Sequence, residues 1–256
     1  PTIRQNLLPF TFTRPVAGIR VGILTLTEKW ERYLDRKASF ATERYLSKKY
    51  PLHHEADNLW VNGAVCPTAE LKQALDELKS GDALSYNNLI IAVRTPDDEV
   101  PEIIPGKIHP VTFPVTVIDE VWKIYQNNGA QIRADFSLIT ANRKSAVIPD
   151  IHTRTYGNHQ IFLEEGAQVR AALLNAENGP IYLGKNSFVQ EGALIRGPFA
   201  LGEESHVNMG AKVRGDTTVG PYSKIGGEVS NSVLFGYSNK AHDGFLGNSV
   251  IGEWCN

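Results

Sequence analysis

Cysteine is scarce in this chain, which has only Cys66 and Cys255 among its 256 residues. Two cysteines so far apart form neither a disulfide framework nor a metal-ligand spacing, and we expect a reducing, cytoplasmic environment. No apolar run approaches the roughly 18 residues of a membrane span, and no signal peptide is recognisable. The 26 basic and 28 acidic residues nearly balance, so no nucleic-acid or membrane-surface partner is expected.

A six-residue repeat is the most regular feature of the sequence. Residues at this spacing drift off one face of a helix, and the glycines between them would interrupt a long strand. They suit a coil of short parallel strands, three to a turn, in which each aliphatic residue stacks on its counterpart one turn away. We therefore predict a parallel β-helix with these inward residues: Leu183, Val189, Ile195, Leu201, Val207, Val213, Val219 and Ile225.

The repeat becomes irregular at both ends. Leu163 and Val169 already keep the six-residue step, so the coil is expected to start near Pro149, with a small protrusion at residues 176–179. After the last regular position, the spacing between aliphatic residues changes. A solenoid needs terminal protection, and we expect more coils beyond Asn256, where the sequence stops inside a coil.

The last part of the chain, SNKAHDGFLGNSVIGEWCN at residues 238–256, resembles a segment of hexapeptide acyltransferases. The resemblance is to the bifunctional family of N-acetylglucosamine-1-phosphate uridylyltransferase and glucosamine-1-phosphate acetyltransferase. It implies a left-handed β-helix, a homotrimer and acyl-CoA as the co-substrate. By position it makes His242 the general base, Phe245 a substrate-contacting aromatic residue and Asn256 a sugar-binding residue. Lys240 would contact a phosphate or a sugar hydroxyl.

Two positions depart from that family. Lys212 stands where the family has an arginine, so it would bind substrate without bidentate geometry. Ser230 stands where the family has a phosphate-binding lysine. For His242 the alternative is a surface histidine in a loop between coils, where the neighbouring glycines merely shape a turn.

The segment LPFTFTRPVA near the start resembles the L-P-L-T-x-x-x-P-K segment of sugar-phosphate nucleotidyltransferases, which act on a nucleoside triphosphate and a sugar 1-phosphate. In that family a lysine follows the proline and neutralises phosphate. Here Val16 follows Pro15. The available substitutes are Arg14, Arg20 and Lys29, and for each of them the alternative is an ordinary exposed surface position.

The same family binds Mg²⁺ through the aspartate of a Gly-Asp pair at a strand end. This chain has Gly63 and Ala64 there, and alanine cannot ligate a metal. Either Asp57 or another carboxylate replaces that aspartate, or this domain no longer transfers nucleotides. The acidic run at residues 97–99 is interpreted as a solvated loop in preference to a metal site, because consecutive side chains do not converge.

Local patterns predict an α/β domain with a mostly parallel, Rossmann-like sheet. Strands are expected at residues 19–27, 56–64 and 83–94, with a helix at 69–79. One or two polar helices are expected from about Glu28, with Thr27 as the N-cap. The proline-rich residues 95–114 indicate a loop, and two helices are predicted after it, at 117–126 and 132–140.

These observations predict three parts: a nucleotidyltransferase-like domain at 1–115 without its usual first strand and Gly-rich loop, a helical linker at 116–148, and the β-helix at 149–256. Three functions compete. The first is a sugar-phosphate transferase with both nucleotidyl and acyl transfer. The second keeps only one of these activities, and the third is a non-enzymatic protein that binds a sugar nucleotide. The repeat alone would specify only a scaffold.

Overall fold

The computed structural model of the protein describes residues 2–99 and 104–256. The chain forms two compact units. The N-terminal unit contains the residues up to Ile19 and Thr25–Asp119, and the C-terminal unit contains Arg20–Leu24 and Glu120–Asn256. None of the helices in the described ranges combines the length and hydropathy that a membrane span requires.

The N-terminal unit is an α/β domain with one four-stranded sheet, which confirms the predicted class. Buried aliphatic side chains of one helix and the strands form its core together with Trp30. In chain order its elements are α1 (Thr2–Asn6), 3₁₀ turns at Phe10–Phe12 and Val16–Gly18, α2 (Leu26–Leu34), β1 (Asn58–Val61), α3 (Ala69–Asp76), β2 (Ala83–Tyr86), β3 (Leu89–Thr95) and β4 (Ile108–Pro110).

The strand directions differ from the prediction. β3 pairs antiparallel with both β1 and β2, and only β2 and β4 run parallel, so the expectation of a mostly parallel sheet is wrong. The predicted single strand at 83–94 is a hairpin. Asn87 and Asn88 between its strands both have positive φ, as a two-residue type I′ turn requires, and asparagine tolerates this conformation. Part of the predicted loop at 95–114 lies outside the described residues, and β4 forms in the remainder.

Helix α2 begins two residues before the predicted start. Its N-cap is Thr25, not Thr27: the Thr25 hydroxyl accepts the Glu28 N–H at 3.2 Å, and the Glu28 carboxylate accepts the Thr25 N–H at 2.6 Å. This capping box satisfies two donors at the helix start. Glu28 is therefore the third residue of the helix instead of its beginning, and α2 is the only α-helix described between residues 28 and 50.

The C-terminal unit is a parallel β-helix with three sheets, as predicted; the left-handed sense stays a prediction. Side A consists of β5, β8, β11, β14, β17 and β20, side B of β6, β9, β12, β15, β18 and β21, and side C of β7, β10, β13, β16 and β19. The elements are α4 (Val121–Thr140), β5 (Arg154–Tyr156), a 3₁₀ turn (Asn158–Gln160), β6 (Ile161–Leu163), β7 (Gln168–Val169), β8 (Leu173–Asn175), β9 (Ile181–Leu183), β10 (Phe188–Val189), β11 (Leu194–Arg196), β12 (Phe199–Leu201), β13 (His206–Val207), β14 (Lys212–Val213), β15 (Thr217–Val219), β16 (Lys224–Ile225), β17 (Glu228–Ser230), β18 (Val233–Leu234), β19 (Asn239–Lys240), β20 (Phe245–Gly247) and β21 (Val250–Ile251).

The eight aliphatic residues of the repeat are all buried in the coil core, which confirms their inward orientation. The stack continues past the regular repeat, because later turns contain fewer residues without losing strand pairing. Val229 pairs with Val213 on side A, and Leu234 pairs with Val219 on side B. The change in spacing after residue 225 therefore marks shorter turns within one continuous coil.

Residues 121–140 form a single helix, so the predicted pair of helices is wrong. Residues 127–131, which were expected to separate the two helices, are helical and make packing contacts. A Cβ on Gly129 would overlap the Asp216 carboxylate, and only glycine allows this approach. Helix α4 packs on side B through an apolar cluster that includes Ile132, Ile139 and Ala200.

Buried polar groups of α4 bind the backbone of segment 20–24. Asn128 Oδ1 accepts the Gly22 N–H at 2.7 Å, and Asp135 Oδ2 accepts the N–H groups of the next two residues at 2.8 and 3.1 Å. Gly22 has φ +83, which closes the segment into a tight loop. Because these donors bind side chains, the strand predicted at 19–27 does not form.

Three aromatic side chains stack along the corner that follows side B. The ring centroids of Tyr222 and Tyr237 are 5.2 Å apart with planes 8° from parallel, and those of Tyr237 and Trp254 are 4.8 Å apart with planes at 14°. These separations are close to the distance between neighbouring strands, which is about 4.7–4.9 Å. The three side chains are exposed, and each comes from a successive turn of the coil.

Candidate functional site

The turn after β1 brings together the two segments that carry the nucleotidyltransferase resemblance. A Cβ on Gly63 would lie 3.0 Å from both the Cβ and the backbone nitrogen of Ala17, so this position approaches the Val16–Gly18 turn closely. The hydroxyl of Thr27 in α2 donates to the Ala17 carbonyl at 2.9 Å. The 3₁₀ turn after Pro15 is thus held between α2 and the end of β1.

Two further segments border the same turn. Trp30 Nε1 in α2 donates to the Val65 carbonyl at 2.9 Å. The N–H of Ile118 donates to the Ala64 carbonyl at 2.8 Å, and Asp119 follows directly. A carboxylate therefore stands one residue from the backbone that pairs with Ala64. We call the group formed by Ala17, Gly63, Ala64 and Ile118 the β1-turn site, and Asp119 borders it.

Two of the predicted cations are buried in the N-terminal unit. Lys29 is 1% exposed and Arg14 is 6% exposed, so the surface alternative is wrong for both. Lys29 lies on the inward face of α2 with Leu26 and Trp30, and the stem of Arg14 packs against Gly18 of the 3₁₀ turn. A charged side chain is rarely this buried, and its field is weakly screened there.

The other two predicted residues bind partners outside the β1-turn site. Arg20 belongs to the C-terminal unit, where its guanidinium donates to the carbonyl oxygens of Phe235, at 3.1 Å, and Ile23. Asp57 precedes β1, at the opposite end of the strand from Ala64, and binds Arg94 Nη2 at 2.5 Å. The Arg94 guanidinium lowers the pKa of Asp57. Asp57 is therefore paired with Arg94 and separated from the Gly63–Ala64 turn by the length of β1.

Asp119 was not predicted as a site residue. Its signal in the sequence is its place at the end of the β-branched run PVTVID, where a polar side chain leaves a strand-like segment. Within residues 2–99 and 104–256, no group of three or more His, Cys, Asp or Glu side chains is placed to hold a metal ion. Mg²⁺ needs only one or two carboxylates when substrate phosphates supply further oxygen ligands, so Asp119 fits this ion.

The sequence model of a family described as "Sugar nucleotidyl transferase" matches residues 1–144. This match covers more than half of the chain. The chain belongs to the sugar nucleotidyl transferase family. The matched residues contain the whole β1-turn site and extend through α4, where Asn128 and Asp135 bind segment 20–24. No curated protein matches the chain.

In this member of the sugar nucleotidyl transferase family, the second group of predicted residues lies on the last turns of the coil. His242 is exposed in the loop between β19 and β20, which joins side C to side A. Asn239 Nδ2 donates to Asn256 Oδ1 at 2.9 Å, which places Asn256 one turn above β19. The loop of His242 and the side chain of Asn256 thus belong to neighbouring turns.

Lys212 and Phe245 are both exposed on side A. Lys212 pairs with Glu228, and Glu228 pairs with Phe245, so Lys212 and Phe245 are two strands apart, about 10 Å. Ser230 lies on the strand between them. The predicted residues of the coil therefore fall on two adjoining sides, with the His242 loop between them.

Lys240 occupies an inward position of side C, where it pairs with the buried Ile225. Its ammonium donates to the carbonyl oxygens of Gly226 at 2.9 Å, His242 at 2.5 Å and Gly244 at 3.3 Å. The side chain thus binds the backbone of His242 itself and of Gly244, two residues later, as well as the turn below.

Proposed function

We propose that the chain is a sugar-phosphate transferase whose N-terminal unit transfers a nucleotidyl group from a nucleoside triphosphate to a sugar 1-phosphate. The family match indicates the reaction class. The observation that carries the proposal is the convergence of the 3₁₀ turn, the Gly63–Ala64 turn and helix α2 at one end of β1, where Lys29 is buried next to the Trp30 that binds this turn.

Lys29 and Arg14 replace the lysine that the family has after its proline. Both are buried, so they stabilise phosphate charge through a weakly screened field and need not touch the substrate. Asp119 would hold Mg²⁺, and this ion would neutralise negative charge on the reacting phosphoryl group. The backbone of the two turns positions the substrate beside these groups.

A pyrophosphate-release assay tests this function. Wild-type protein is incubated with N-acetylglucosamine 1-phosphate, UTP and Mg²⁺, and then with other nucleoside triphosphates. We expect Lys29→Met to lower kcat/KM at least tenfold, and Lys37→Met, which removes a cation that is 91% exposed, to leave it unchanged. Thermal unfolding shows whether Lys29→Met is folded. If folded wild-type protein releases no pyrophosphate with any nucleotide, the N-terminal unit is not a transferase.

Acyl transfer from acyl-CoA to an amino-sugar phosphate is a second function that the coil supports. The observation in its favour is that His242 is exposed in the loop that leads into side A, which carries Lys212 and Phe245, and that Asn256 lies on the neighbouring turn. His242 would accept the amine proton as the nitrogen attacks the thioester carbon, and the thiolate of CoA would leave.

Release of free thiol from acetyl-CoA in the presence of glucosamine 1-phosphate tests this second function. We expect His242→Ala to reduce the rate at least a hundredfold and His152→Ala, which changes another exposed histidine, to have no effect. Thiol release that His242→Ala does not alter would remove His242 from the mechanism.

We further propose that the chain forms a homotrimer through its β-helix. Helix α4 covers side B, which leaves sides A and C for contacts between subunits. Sedimentation velocity is expected to give three times the chain mass of 28.3 kDa. A monomer at micromolar concentration contradicts this assembly.

A further inference from the structure

Lys240 is a charged residue in the column of inward-facing residues on side C, where the preceding strands have aliphatic residues. The inward position on side C is Val169, Val189, Val207 and Ile225 in the four preceding strands, and the fifth strand has a lysine. An ammonium at an apolar stacking position is unfavourable unless its donors are satisfied. A specific set of acceptors must therefore compensate for it.

Three backbone carbonyl oxygens provide those acceptors. They belong to Gly226 in the turn below and to His242 and Gly244 in the loop above, at 2.9, 2.5 and 3.3 Å from Nζ. An ammonium has three N–H donors, so this set uses all of them. Lys240 is consequently engaged with backbone, and this arrangement favours a role other than contact with a substrate phosphate.

The loop bound by Lys240 has little burial of its own. His242, Asp243 and Gly244 are all exposed, and Gly244 has φ +115. The Glu228 N–H in the turn below donates to the Gly244 carbonyl at 3.0 Å, and the side-chain amide of Asn208, two turns below, donates to the Ala241 carbonyl at 3.2 Å. The ammonium binds carbonyls on both sides of Asp243 and so fixes the curvature of the loop.

We propose that Lys240 is a positioning residue that fixes the 241–244 loop and thereby the imidazole of His242, an inference that rests on the acyl-transfer function proposed for His242. Charge-assisted hydrogen bonds are about twice as strong as neutral ones, and three of them converge here. The ammonium thus takes the place of the aliphatic stacking contact that the other turns make on side C. It orders the 241–244 loop, which is exposed to solvent.

Lys240→Met tests this role, because methionine keeps an apolar stem of similar length and removes the three donors. Lys224→Met is the matched control, since Lys224 is the exposed residue one turn below on the same side. Amide hydrogen exchange of Glu228, whose N–H binds the loop, is measured with correction for intrinsic rates. We expect at least tenfold faster exchange in Lys240→Met and no change in Lys224→Met.

Chemical rescue separates positioning from general stability. Lys240→Ala leaves a gap that propylammonium can fill, and we expect this cation, but not propanol, to restore Glu228 protection and most of the kcat of acyl transfer. KM for the sugar phosphate should change little. Unchanged Glu228 exchange in both Lys240 variants would overturn the role. If wild-type protein shows no acyl transfer, the exchange data still decide the role of Lys240, and only the function of His242 fails.

Discussion

At the scale of single residues, the ion pair of Asp57 and Arg94 gives a test of pH dependence. Arg94 Nε contacts both carboxylate oxygens at 3.0 Å, and Nη2 contacts Oδ2 at 2.5 Å. The hydrogen bond and charge of Arg94 lower the pKa of Asp57 below its usual 3.8. A carboxylate with a lowered pKa in the folded state stabilises the fold above its unfolded pKa, and this stabilisation is lost as the pH falls through the folded pKa.

We therefore expect Asp57→Asn to reduce the free energy of unfolding at pH 7 by less than about 1 kcal/mol, because both side chains are more than one-third exposed. The difference from wild type should disappear as the pH falls below the folded pKa. Urea unfolding at pH 7 and at pH 2.5 measures it. A difference that persists undiminished in acid would show that packing, and not charge, is responsible.

Burial of individual charged residues could not be predicted from the sequence. Lys29 occupies an inward position of α2 because it shares the buried face of this helix with Leu26 and Trp30, and the predicted helix start at Glu28 left Leu26 outside the pattern. Arg14 and Lys240 look like ordinary surface cations in the sequence, since their acceptors and packing partners come from distant segments. The types of the candidate site residues were predictable, whereas their exposure depends on tertiary contacts.

At the scale of elements, the prediction was right where the local pattern defines the element and wrong where a turn or a distant contact defines it. The apolar run of β1 and the helix after Thr68 were found from local pattern alone. The run at 83–94 was long enough for one strand, and the Asn-Asn pair inside it was not interpreted as a turn. Residues 127–131 looked like a break in α4, because the packing that requires Gly129 and Asn128 involves Asp216, far away in the chain.

The bonds between α4 and segment 20–24 predict a large effect from one buried carboxylate. Asp135→Leu leaves two buried N–H groups without their acceptor, and we expect the free energy of unfolding to fall by about 2–5 kcal/mol. Asp135→Asn keeps an oxygen in place and is expected to cost about 1 kcal/mol or less. Guanidinium unfolding of both variants measures this. Equal losses in the two variants would mean that charge, and not the acceptor oxygen, holds the segment.

At the scale of the whole molecule, the β-helix was the most predictable part. One inward residue per side repeats the same contact in every turn, so the sequence pattern and the stack correspond directly. The later turns were harder because they shorten, and because Lys240 takes the place of an aliphatic residue in the pattern. The packing of α4 on side B has no repeating signal, and it was missed.

The stability of the coil should depend on its inward-facing residues more than on its exposed ones. Leu201→Ala removes a side chain that is fully buried between two other turns, and we expect a loss of about 2–5 kcal/mol. Leu194→Ala is the matched control, because Leu194 lies on side A of the same turn and is 47% exposed. It should cost much less. Denaturant unfolding followed by circular dichroism compares them, and similar losses would mean that the outer surface of the coil is packed against something else.

The stack of Tyr222, Tyr237 and Trp254 has an optical consequence. Rings about 5 Å apart and nearly parallel lie well within the range of dipolar coupling between excited states, so light absorbed by the two tyrosines should emerge as tryptophan emission. Tyrosine-excited tryptophan emission is therefore an intrinsic signal that the last turns of the coil, which contain the His242 loop, are stacked on one another.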